Sequence, residues 1–194
     1  MMKLIFATAN PGKVREAQEI LGPAFELVLP ASLGITDDIP ETGSTLRENS
    51  LQKAAYLYER TGMDCFADDS GLEVDILGGA PGVETARYAG PARSANANMD
   101  KLLREMAKAG GEPRTARFRT CVTLILGGKT HTFEGVMEGR IGTEKAGCGG
   151  FGYDPIFIPE GYALTNAELG EEVKNSISHR GKALRAMAAF LQNL

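Results

Sequence analysis

With 194 residues, 43% hydrophobic and 24% charged, the chain has an ordinary globular balance and enough length to bury a sizeable core without disulfide staples. A formal net charge of -4 excludes a global basic field for nucleic acid, so an anionic ligand must be met by a few placed cations. No apolar run approaches the ~18 residues of a membrane span, and Cys65, Cys121 and Cys148 are too few and too scattered for a disulfide framework or a zinc site, which suits reduced thiols in the cytoplasm.

Lys3 to Ala7 reads as a buried strand, too short and abrupt to open a signal peptide. It runs into the turn cluster Thr8-Ala9-Asn10-Pro11-Gly12-Lys13, and a helix follows with Val14, Ala17 and Leu21 on one face. Phe25 to Leu29 is a second short strand. Thr45 and Glu48 have the spacing of a capping box. The helix behind them carries Leu51, Ala54, Ala55 and Tyr58 as an apolar stripe, with Asn49 and Lys53 sharing another face. Cys65 to Ala67 is a buried strand leading into Asp68-Asp69-Ser70-Gly71. Leu72, Val74 and Ile76 then alternate with Glu73 and Asp75 as in a half-exposed strand.

Ser94 to Ala109 reads as a helix with Met99, Leu102, Leu103 and Met106 inward. Phe118, Val122, Leu124 and Leu126 mark a long strand, turned by Gly127-Gly128 into a partner at Thr130 to Phe133. Glycine is dense from Gly142 to Gly152, a loop. Ser178 is placed to cap the last helix, whose Leu184, Met187, Ala188 and Leu191 face the core. No repeat or linker divides the chain, so one domain over residues 1–194 is expected, of α/β class with a mixed sheet.

Four stretches carry chemistry. Thr8 to Lys13 joins a strand to a helix start, where free N–H groups and the helix dipole favour a phosphate and Lys13 adds a charge. It lacks the first glycine and the trailing hydroxyl of a P-loop, and equally suits a helix start capped by Asn10. Glu41 lies in a Pro/Gly-flanked loop, and Asp68 and Asp69 follow a strand. Neighbouring strand residues point to opposite faces, so at most one Asp faces a ligand with Glu41. One or two carboxylates suffice for Mg²⁺; alone, Asp-Asp-Ser-Gly reads as a turn.

In Gly149-Gly150-Phe151-Gly152-Tyr153-Asp154-Pro155, the flanking glycines free the Phe151 ring to stack on a flat ligand, and Asp154 offers an acceptor. The same stretch fits a Gly-rich hairpin with a core Phe. Lys174, His179 and Arg180 are three donors converging at an expected helix start, an end that cations avoid, which hints at a bound ligand. His179 by itself reads as a surface histidine.

Taken in order, TANPGK (8–13), ETGSTLRENS (41–50), ADDSGLEV (67–74), LGGAPGVETARYAG (77–90), ARFRTCV (116–122), GGFGYDPIF (149–157) and SHRGKAL (178–184) resemble the inosine triphosphate pyrophosphatase family, the Ham1-like dITP/XTP pyrophosphatases. The resemblance spans nearly the whole chain. It departs at Ser50, where the family usually has Ala, at Leu46 for Phe and at Thr85 for Ser; no functional side chain is lost.

The resemblance implies a mixed twisted sheet with flanking helices and two lobes around a central nucleotide-binding cleft. It implies hydrolysis of ITP, dITP and XTP to the monophosphate and pyrophosphate, cleansing the nucleotide pool. Thr8, Ala9, Asn10, Pro11, Gly12 and Lys13 would hold the triphosphate. Lys53 and Ser70 would touch phosphate. Glu41 and Asp69 would bind Mg²⁺, with Asp69 also the base. Phe151, Gly152, Tyr153 and Asp154 would line the base pocket, which Lys174, His179 and Arg180 complete. The family is homodimeric.

Lys174 and Arg180 are donors only, so a 6-oxo purine satisfies them where adenine does not. Within this reading Asp68 points away and its loss is expected to be the milder one. Two other readings stay open on residues alone: a pyrophosphatase for modified pyrimidine or methylated nucleotides, disfavoured by the Lys174, His179 and Arg180 donors, and a non-catalytic nucleotide sensor, disfavoured by Glu41 and Asp69. With His131 and His179 the sole histidines, a nucleophilic triad is poorly supported.

Overall fold

In the computed structural model, which describes residues 1–194, the opening apolar run is strand β1 (Met2–Phe6). It lies between β2 (Phe25–Val28) and the start of β3 (Cys65–Val74), parallel to both, with Met2 opposite Phe25 and Ile5 opposite Cys65. Parallel neighbours need crossovers, here made through α1 (Pro11–Leu21) and α2 (Leu46–Thr61). The strand period of two then sorts the side chains. Leu4, Phe6 and Phe66 join a core with Ala17 and Leu21 of α1 and with Leu184, Met187 and Leu191 of α6 (His179–Gln192). Ile5, Ala7, Cys65 and Ala67 face the other way, against Ala54 and Leu57 of α2. Burial on both faces explains why these strands read as unbroken apolar runs.

The residues form two compact units, 1–69 with 120–135 and 180–194, and 70–119 with 136–179. Strands β4 (Thr115–Leu126) and β5 (Lys129–Ile141) contribute to each, joined by Gly127 and Gly128 at φ 55 and 78, the positive pair that a tight hairpin turn demands. In the second unit, Leu72 and Val74 pack with Met99, Leu102 and Met106 of α3 (Ala95–Lys108), and with Phe118, Met137 and Phe157. Strand β6 (Phe157–Pro159) runs antiparallel to β5, and two short helices follow, α4 (Asn166–Leu169) and α5 (Glu171–Ile177). The strand order is β2-β1-β3-β4-β5-β6, a mixed sheet with flanking helices.

Three local expectations are corrected. Asp68-Asp69-Ser70-Gly71 is no turn but the middle of β3, because ladder pairing and burial on both sides override turn propensity. Leu72 and Val74 are fully buried, and the strand stops before Ile76, which lies in a short 3₁₀ turn. The partner of β4 extends far past Phe133, to Ile141.

Candidate active site

The alternation of β3 separates Asp68 from Asp69. Asp68 continues the face of Phe66, towards α1 and α6. Its carboxylate is fully buried and takes Lys13 Nζ at 3.0 and 3.2 Å and Arg180 Nε at 3.1 Å. Arg180 also reaches Glu16 at 3.4 Å. Burial by itself would raise the Asp68 carboxyl, but Lys13, Arg180 and Lys53 outweigh it and hold the group well below the usual carboxylate range. As the strand alternation predicts, Asp68 points away from Asp69, onto the face that holds Lys13 and Arg180.

Asp69 continues the face of Ala67, towards α2. Asn49 Nδ2 donates to it at 3.1 Å. Lys53, itself 7% exposed, donates to the Asp68 carbonyl at 2.5 Å and pairs with Glu41 at 2.6 Å. Burial pushes the Asp69 carboxyl up to about 6; Lys53 opposes that rise, while Glu41 and Asp68 add to it. Glu41, Lys53 and Asp69 thus form one electrostatic cluster over α2, with more negative charge than Lys53 neutralises.

The exposed segment Ala9 to Gly12 follows β1, where backbone pairing to Phe66 ends. Asn10 Oδ1 accepts from Gly12 N at 2.9 Å and Lys13 N at 3.4 Å, and Thr8 Oγ1 accepts from Asn10 N at 3.1 Å. Those N–H groups are engaged, so Asn10 does cap α1, as one of the two readings of this stretch had it. What remains for an anion is the dipole of α1 and the ammonium of Lys13.

In the second unit, Phe151 is 67% exposed, with Lys174 Nζ 4.4 Å from its ring centroid. Asp154 organises the loop beneath: its Oδ2 accepts from Phe151 N at 2.9 Å and pairs with Lys174, and its Oδ1 accepts from Asn166 Nδ2 at 3.3 Å. Gly150 sits at φ 72, and a Cβ there would lie 2.3 Å from Asp154 Oδ2, so no other residue fits.

Two expectations change. Tyr153 does not line a pocket with its ring, which is 4% exposed in the core with its hydroxyl donating to Thr85 O at 2.7 Å; an apolar ring with one satisfied polar tip is most stable inside. Lys174 does not share a helix start with His179 and Arg180. It lies in the last turn of α5, where the dipole favours a cation, and answers to Asp154. His179 opens α6 and stacks on Phe118 at 5.0 Å, while Ser70 lies half-buried in β3. Sequence reasoning missed the bonds of Asn166 to Asp154, of Lys13 and Arg180 to Asp68 and of Asn49 to Asp69, although the shared face of Asn49 and Lys53 was a usable signal.

In the first unit, carboxylates are interleaved with Lys and Arg on both faces of β3; in the second, an exposed aromatic ring carries its own cation; the whole is an α/β protein. The model of the Ham1 family matches residues 4–190. A dITP/XTP pyrophosphatase of Porphyromonas gingivalis is 51% identical over 191 residues, covering 98% of each chain. One of Bacillus subtilis is 46% identical, covering 99% of this chain and 98% of its own. Among solved structures, a HAM1 protein from Coxiella burnetii superposes with a TM-score of 0.95 at 36% identity, over the whole of both chains. The chain belongs to the Ham1 family.

Proposed function

We propose that this chain hydrolyses deaminated purine nucleoside triphosphates, ITP, dITP and XTP, to the monophosphate and pyrophosphate, and so keeps non-standard purines out of DNA and RNA. The observation that carries the proposal is the Glu41–Lys53–Asp69 cluster on one face of β3, intact in a chain that matches dITP/XTP pyrophosphatases end to end.

The cluster fits a hard divalent cation. Asp69 is held near 6 by burial and by the Glu41 charge, a strain that a bound cation would relieve. Glu41 and Asp69 would hold Mg²⁺, which supplies charge neutralisation on the phosphates when bound. Phosphoryl transfer to water needs positioning and charge compensation more than covalent help. Lys53 and Lys13 provide the compensation from opposite faces of β3, with Ser70 and the Thr8–Lys13 segment holding further phosphate oxygens. Asp69 accepts the proton of the attacking water, a task for which a carboxyl titrating near neutrality is suited.

Phe151 stacks on the purine, and Lys174 donates to its 6-oxo group with His179 and Arg180 completing the contacts; Gly152 and the backbone of Tyr153 and Asp154 shape the loop. An amino group at position 6 would leave a charged donor unsatisfied, at about 1–3 kcal/mol or more. A second role for Arg180 rests on a specific observation: it shares Asp68 with Lys13, which suits phosphate binding. The enzyme acts as a cytoplasmic homodimer, which light scattering on the purified protein checks.

The decisive assay is pyrophosphate release from a panel of nucleotides with no auxiliary phosphatase. ITP, dITP and XTP should yield monophosphate and pyrophosphate in equal amounts. Orthophosphate as the first product would sink the proposal.

A further inference from the structure

The loop that carries Glu41 is held almost entirely by side chains of α2. Three consecutive backbone N–H groups each find a different acceptor: Thr42 N donates to Gln52 Oε1 at 2.8 Å, Gly43 N to Asn49 Oδ1 at 2.7 Å and Ser44 N to Glu48 Oε2 at 2.6 Å. Of these acceptors Asn49 alone also reaches β3, through its Nδ2 bond to Asp69. Its orientation follows from its partners, since a backbone N–H can only donate and a carboxylate can only accept. Asn49 is 2% exposed, so both ends of its amide are fixed away from water. Gly43 is required by this approach: a Cβ there would lie 2.6 Å from Glu48 Cβ and 2.8 Å from Asn49 Oδ1.

One buried amide therefore ties the loop of Glu41 to the carboxylate of Asp69. We propose that Asn49 is a positioning residue that sets the spacing of the Glu41 and Asp69 carboxylates and thereby the affinity for a divalent cation. The inference rests on the reading of those two carboxylates as the metal site. A hydrogen bond from a neutral donor to a carboxylate, combined with loss of the loop anchor, corresponds to roughly a tenfold change in affinity.

The test is Mn²⁺ binding to the nucleotide-free protein by electron paramagnetic resonance, with the Mg²⁺ dependence of turnover measured alongside. Asn49→Ala should weaken Mn²⁺ binding about tenfold and raise the Mg²⁺ requirement equally, while kcat at saturating Mg²⁺ recovers to near wild type. Gly43→Ala, whose Cβ would press on Glu48 Cβ and Asn49 Oδ1 and push the loop off Asn49, should move both in the same direction and serves if Asn49→Ala does not fold. A lowered Tm with unchanged Mn²⁺ affinity in both variants would reduce Asn49 to a structural cap and overturn the proposal. Wild-type protein that binds no Mn²⁺ would instead overturn the metal-site reading beneath it.

Discussion

Asp68 and Asp69 are neighbours in sequence and opposites in chemistry. Asp68 is fully buried and Asp69 half-buried, and burial acts to push both carboxyls up. Asp68 meets Lys13 and Arg180 directly and stays ionised far below the normal range. Asp69 meets one neutral amide, with Lys53 bonded to Glu41 and to the Asp68 carbonyl, and is lifted to about 6. The difference is set by which helices cover each face of β3: one carboxylate is neutralised by two cations, and the other is left with a raised carboxyl beside Glu41.

The sharpest way to break this contrast is Asp69→Asn. Turnover of ITP should fall about 10²–10⁴-fold, because an amide neither accepts the proton nor binds the metal well. The folded-state carboxyl of Asp69 is raised, so its favourable contribution to stability is present below the ordinary value and lost as pH rises through about 6. Metal-free Asp69→Asn should therefore melt above wild type at pH 8, the gap closing towards pH 4. A variant with near-normal activity would reverse the assignment.

Asp68→Asn should fail differently. It leaves two cations without their shared partner, at roughly 3 kcal/mol, the lower end for a broken buried pair since Lys13 keeps access to water. This carboxyl is depressed, so its contribution is full above the ordinary value of ~3.9 and fades only as pH falls through the folded one. Denaturant melts should show a penalty flat from pH 8 to about 5 and shrinking below. A variant as stable as wild type at pH 8 would remove Asp68 as an anchor.

The wild-type pH profile sharpens the same comparison. At limiting Mg²⁺, kcat/KM should drop about tenfold per unit below pH 6 as Asp69 takes up a proton, and added Mg²⁺ should move that limb lower. A profile insensitive to Mg²⁺ would separate the base from the metal ligand.

Arg180→Ala asks whether the Asp68 face serves phosphate or base. If Arg180 reads the purine, the ITP/ATP ratio of kcat/KM compresses about tenfold; an unchanged ratio assigns it to phosphate with Lys13. The smallest effect belongs to Tyr153→Phe, which should cost about 1 kcal/mol of stability through the lost bond to Thr85 and leave kcat/KM within about twofold. A large kinetic defect there would return the Tyr153 ring to the ligand.

Much of this molecule is local enough to be written in its sequence. The Asn10 cap of α1, the Thr45 cap of α2, the hairpin at Gly127-Gly128 and the apolar runs of β1 and early β3 depend on residues a few positions apart, where backbone geometry and side-chain period decide. The motifs named the candidate site residues by resemblance. Only the tertiary structure decided what those residues do to one another. Asp68 finds Lys13 at a separation of 55 residues and Arg180 at 112; Asn49 finds Asp69 at 20. It was likewise folding that turned Asp-Asp-Ser-Gly into strand, drew Tyr153 inward and set Lys174 on its own helix facing Asp154. Pattern gives each side chain a face, but charge and burial act through space, so the protonation and purpose of a carboxylate are fixed only when distant segments close around it.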